Sequence, residues 1–100
     1  MIYFDNAATT FPKPGCVVQA VQQAMLYYGA NPGRGGHDLS MQTGRMVHRC
    51  RERAAALFGC QPEQVVFTKN CTESLNIVLK GLAQPGDHFI ISDLEHNAVY

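Results

Sequence analysis

Apolar positions recur first with a helical period and later in short unbroken runs. Val17, Ala20, Val21, Ala24 and Met25 fall at i, i+3, i+4, i+7 and i+8, one stripe of an amphipathic helix. Pro14 suits the first turn of that helix, and Gly29 suits the position just past its end. A second helix is predicted from Ser40, as its opening cap, to Phe58, with Gly59 closing it. Its core face is expected to hold Met46, Val47, Cys50, Ala54, Leu57 and Phe58, which lie within about 120° of one another at ~3.6 residues per turn. Arg45, Arg49 and Arg53 form the neighbouring stripe and read as a solvated face, the alternative being an anion-binding one.

Beyond the turn Cys60-Gln61-Pro62 the period changes. Val65-Val66-Phe67 reads as a short strand, and Leu75, Val78, Leu79 and Leu82 mark a third helix. Pro85-Gly86-Asp87 makes a turn, and Phe89-Ile90-Ile91 reads as a second strand. This β-α-β order predicts parallel strands in one sheet and an α/β class. Residues 1–15, polar and punctuated by Pro12 and Pro14, read as an extended lead-in. Residues 16–59 hold two helices joined by a glycine-rich loop.

Composition narrows the class. The 100 residues suit one small domain, and 46% hydrophobic content suits a soluble globular chain. Eight basic and eight acidic residues cancel, so neither nucleic acid nor an anionic membrane is an expected partner. No apolar run approaches the ~20 residues that span a bilayer, and the start Met1-Ile2-Tyr3-Phe4-Asp5 is no secretory signal. A cytoplasmic protein is expected. Cys16, Cys50, Cys60 and Cys71 include no C-x-x-C pair and no matching His spacing. Free thiols are therefore expected and a metal site is not, with Cys16 and Cys50 as small packing residues. The last residues carry no stop signal and suggest a fragment.

The candidate chemistry gathers where two parallel strands would end, the edge at which ligands of open α/β sheets collect. Thr68-Lys69-Asn70-Cys71-Thr72 leaves the first strand there, and Ser92-Asp93-Leu94-Glu95-His96 leaves the second. Asn70-x-x-Glu73 has the spacing of a helix capping box. The same helix start would aim unpaired amides of Cys71 and Thr72, with the Thr72 hydroxyl, at an anion such as phosphate. The two readings are compatible. His96 is either a surface residue or an imidazole placed to stack on a planar ring and move protons. The loop Gly29–His37 matches neither G-x-G-x-x-G nor a P-loop, and reads as a connector or as a loop close to a ligand.

Five motifs in order resemble the class V aminotransferases. They are Tyr3-Phe4-Asp5-Asn6-Ala7-Ala8-Thr9-Thr10, Asn31-Pro32-Gly33-Arg34-Gly35-Gly36-His37, Ala54-Ala55-Ala56-Leu57-Phe58-Gly59, Phe67-Thr68-x-Asn70-x-Thr72-Glu73-Ser74-Leu75-Asn76 and Leu94-Glu95-His96-Asn97-Ala98-Val99. Among fold-type I pyridoxal-phosphate enzymes, with their mostly parallel sheet flanked by helices, the chain is most similar to the cysteine desulfurase and selenocysteine lyase branch.

The resemblance implies that Cys71 and Thr72 bind the phosphate of pyridoxal 5'-phosphate. It implies that His96 stacks on the cofactor ring and assists proton transfer. Ala7 and Ala8 would approach the substrate, and Arg34 and His37 would line the pocket entrance near a homodimer interface. Residues 60–100 would begin the large cofactor-binding domain. L-cysteine would be the substrate, and a sulfur-acceptor protein a partner. Lys13, Lys69 and Lys80 do not match the family's Schiff-base lysine, nor does any cysteine here match its nucleophile. The alternatives are a selenocysteine lyase, another class V aminotransferase, or a truncated, non-catalytic fragment that binds a phosphate or a partner.

Overall fold

A computed structural model describes residues 2–100, which divide into two compact units, one running through Gln64 and the other from Val65 to Tyr100. In the first unit the lead-in is not helical and folds back on itself. A turn at residues 6–8 is closed by the amides of Ala8 and Thr9 donating to the Asp5 carbonyl. Tyr3 and Phe11 meet edge to face at 5.8 Å, and the Tyr3 hydroxyl donates to the Thr9 carbonyl.

Helix α1, Gly15–Tyr27, starts one residue after Pro14, which stands at the cap position rather than inside the first turn as expected. Helix α2, Asp38–Phe58, begins two residues before the expected Ser40, because His37 rather than Ser40 caps it. Gly59 ends it with φ 68°, a left-handed conformation suited to glycine, and Cys60 N–H donates to the Ala55 carbonyl as in a Schellman turn. A short 3₁₀ turn, Pro62–Gln64, follows and packs against α2.

The buried residues differ from those expected. Among the described residues only Ala55, Ser40 and Thr43 are buried. Met46, Val47 and Ala54 are half-buried, Cys16 and Cys50 are exposed, and Leu57 and Phe58 are 80% and 78% exposed. The physical reason is geometric. An amphipathic stripe is buried only where a second element covers it, and over Leu57 and Phe58 none does. The arginine stripe behaves as a solvated face, with Arg45, Arg49 and Arg53 all exposed.

In the second unit, helix α3 spans Cys71–Leu82. Leu79, Ala83, Phe89, Ile91 and Val99, with Lys80, line an apolar groove of about 410 Å³. A turn between them is closed by Asp87, whose amide donates to the Gln84 carbonyl and whose carboxylate accepts the Gln84 amide. The two expected strands are not formed. Val65–Phe67 and Phe89–Ile91 carry no ladder, and no strand occurs among the described residues. Strand structure requires a partner backbone in register, a non-local condition that two short runs flanking one helix do not meet by themselves. No helix among the described residues is long and apolar enough to cross a membrane.

Candidate functional site

The start of α3 is built from side chains that bond to their own turn. Asn70 Oδ1 accepts the Glu73 amide at 2.9 Å, the forward half of the capping box. Glu73 Oε2 reaches back to the Lys69 amide at 2.7 Å, one residue beyond the usual partner. The Thr68 and Ser74 hydroxyls pair at 2.6 Å, and both contact the Asn70 carbonyl. Asn76 Nδ2 donates to the Thr72 carbonyl at 2.9 Å. Thr68, Asn70, Glu73, Ser74 and Asn76 are therefore committed to internal bonds.

What remains at this helix start is a set of donors. The amides of Cys71 and Thr72 and the Thr72 hydroxyl meet no acceptor among the described residues, and both residues are exposed. They stand at the positive end of a twelve-residue helix, whose third amide, that of Glu73, is capped by the Asn70 side chain and whose fourth, that of Ser74, donates to the Asn70 carbonyl. This donor set fits a phosphate: it offers neutral hydrogen bonds and a partial positive charge. Its acceptors, Asn70 Oδ1 and the Glu73 carboxylate, are engaged elsewhere.

His96 lies in the same unit, after the run Phe89–Ile91, and is exposed. Its Nδ1 accepts the Ala98 amide at 3.1 Å and its carbonyl accepts the Val99 amide. In the neutral ring this leaves the proton on Nε2. Ser92 supports the loop, its hydroxyl donating to Glu95 Oε1 at 2.9 Å and its carbonyl accepting from Tyr100.

The other four sequence candidates lie in the first unit. Ala7 and Ala8 are exposed in the turn of the lead-in, and Arg34 is exposed in the loop before α2. His37 is engaged as the N-cap of α2, its Nδ1 accepting the Ser40 amide at 3.4 Å. Sequence reasoning missed both this cap and the burial of Ser40. The three-residue spacing His37-x-x-Ser40 was the available signal, obscured because imidazoles are uncommon caps beside Ser, Thr, Asp and Asn.

A capped helix start with outward amides and a hydroxyl has the donors and the partial charge to accept an anion. The chain belongs to the class-V aminotransferase family, whose family model matches residues 2–100. It is 37% identical over 98 residues to a protein of Methanothermobacter thermautotrophicus named "Probable cysteine desulfurase", covering 97% of this chain and 24% of that one. It is 38% identical over 104 residues to the cysteine desulfurase of Haloferax volcanii, covering 98% and 24% of the two chains. The match to the cysteine desulfurase IscS of Shewanella sediminis is also 38% over 104 residues, covering 98% and 26%. The chain thus spans about a quarter of the length of these relatives. No solved structure matches it.

Proposed function

We propose that a protein of the relatives' length beginning with this chain is a pyridoxal-phosphate-dependent cysteine desulfurase. The observation that carries the reading is the helix start at Asn70, whose own side chains are internally bonded while Cys71 and Thr72 keep their donors outward. Similarity to proteins named cysteine desulfurase supplies the reaction class. The net change is sulfur transfer from L-cysteine to a protein thiol, giving alanine and a persulfide. The cysteine C–S bond breaks, an S–S bond forms, and no outside oxidant is consumed.

In this reading Cys71 and Thr72 hold the cofactor phosphate. His96 stands against the ring and holds its proton at Nε2, available to the leaving or returning group. Pyridoxal phosphate, when bound, supplies the electron sink for the C–S cleavage. Ala7, Ala8, Arg34 and His37 line the substrate side. The runs Val65–Phe67 and Phe89–Ile91 become strands of a mostly parallel sheet in the longer chain. The proposed setting is the cytoplasm, as a homodimer that passes sulfur to an acceptor protein.

The test is reconstitution of the full gene product with pyridoxal phosphate. A visible absorbance band that shifts on adding cysteine, with alanine and persulfide formed in equal amounts, is expected. Turnover of selenocysteine but not cysteine would reassign the protein as a selenocysteine lyase. Absence of any cofactor band, or a stop codon directly after Tyr100, would remove the enzymatic reading. A His96→Ala variant is expected to lose most turnover while keeping cofactor, and normal turnover would take His96 out of the site.

A further inference from the structure

The loop before α2 contains four glycines between Gly29 and His37, so its freedom in the unfolded chain is large and few bonds define its shape. Those bonds converge on one buried side chain. Ser40 is 2% exposed, and its Oγ donates to the Asn31 carbonyl at 2.7 Å. Its amide is received by His37 Nδ1. The loop therefore departs from Ser40 at Asn31 and returns to it at His37. Between these ends, Asn31 Oδ1 accepts the Gly33 amide at 2.9 Å, tightening the turn that presents Arg34. Gly35 lies so close that a Cβ there would stand 2.6 Å from Ser40 Cβ and 2.8 Å from His37 Nε2.

Nothing in α2 itself calls for this hydroxyl. Alanine is the better helix former, and buried hydroxyls in helices usually bond back one turn. Thr43 does so, its Oγ1 donating to the Leu39 carbonyl at 3.0 Å. Ser40 instead spends its only hydroxyl proton on the loop. We infer that Ser40 is a positioning residue, which fixes the Arg34–His37 segment through Asn31 and His37 and so sets substrate binding. The inference rests on the reading above that this segment lines the substrate pocket.

Two arms test it. In this chain, trypsin cleavage after the exposed Arg34 reports opening of the loop. Ser40→Ala is expected to speed that cleavage about 3- to 10-fold, the factor one intramolecular hydrogen bond is worth. Ala55→Gly weakens the same helix at another buried position and should leave the rate after Arg34 close to wild type. Equal cleavage in Ser40→Ala and wild type, or an equal rise in both variants, overturns the positioning role. In the full gene product, Ser40→Ala is expected to raise KM for cysteine several-fold with kcat nearly unchanged. An unchanged KM overturns the role while leaving the proposed function standing. A wild-type protein that turns over no cysteine removes the proposed function, and the cleavage arm then decides the anchoring of the loop by itself.

Discussion

Asn70 caps the start of α3 by accepting the Glu73 amide, and its backbone lies next to the donors of Cys71 and Thr72. The two jobs proposed for this turn can be separated at that residue. Asn70→Ala removes the cap and is expected to cost about 1 kcal/mol of stability. Asn70→Asp keeps an equally good cap but adds a negative charge beside the phosphate seat. Stability should hold, while affinity for pyridoxal phosphate should fall roughly fivefold, from the repulsion of about 1 kcal/mol between unit charges some 4 Å apart in water. Thermal melting and cofactor titration of the full gene product read the two effects separately. Unchanged cofactor affinity in Asn70→Asp would separate this turn from the phosphate. The cap itself was legible in the sequence, because Asn70 and Glu73 are three residues apart and their bonds are local. Ser40 and His37 were not legible in the same way. Their roles depend on where Asn31 and Gly35 fall in space, which no local spacing states.

At the scale of elements, all three helices were legible, since each carries its own period and its own stop. The end of α2 is the clearest. Gly59 at φ 68° lets Cys60 turn back onto the Ala55 carbonyl, and Ala55 is the one buried apolar residue among those described. Left-handed backbone costs a residue with a Cβ roughly 1–2 kcal/mol. Gly59→Ala is therefore expected to lower stability by about 1 kcal/mol and to fray the last turn of α2, measured by thermal melting and by amide exchange at Gly59 and Cys60. No loss of stability would mean that the cap is not formed in solution. Helix faces were less legible than helix spans. The period identifies which residues share a stripe, but burial of Leu57 or Phe58 depends on a covering element that the stripe does not encode.

For the molecule as a whole, the runs Val65–Phe67 and Phe89–Ile91 separate what the sequence favours from what this chain achieves. Their composition favours strands, yet both remain without a ladder, and Val66 and Ile90 are 74% and 98% exposed. Helices close their hydrogen bonds within one segment, whereas strands close them only against another, so the non-local part of the pattern stays unfulfilled. The chain matches one relative over 97% of its own length while spanning 24% of that relative's. The proposed sheet therefore makes a direct prediction for amide exchange. In this chain, amides of residues 65–66 and 89–91 should exchange rapidly, while those in the middle of α2 are retained longer. In the full gene product amides of residues 65–67 and 89–91 should be among the most slowly exchanging, since a parallel sheet covered on both faces buries its ladder. Rapid exchange at 65–67 and 89–91 in that longer protein would rule out both runs as strands of a central sheet. It would also remove the shared edge to which Thr72 and His96 are assigned.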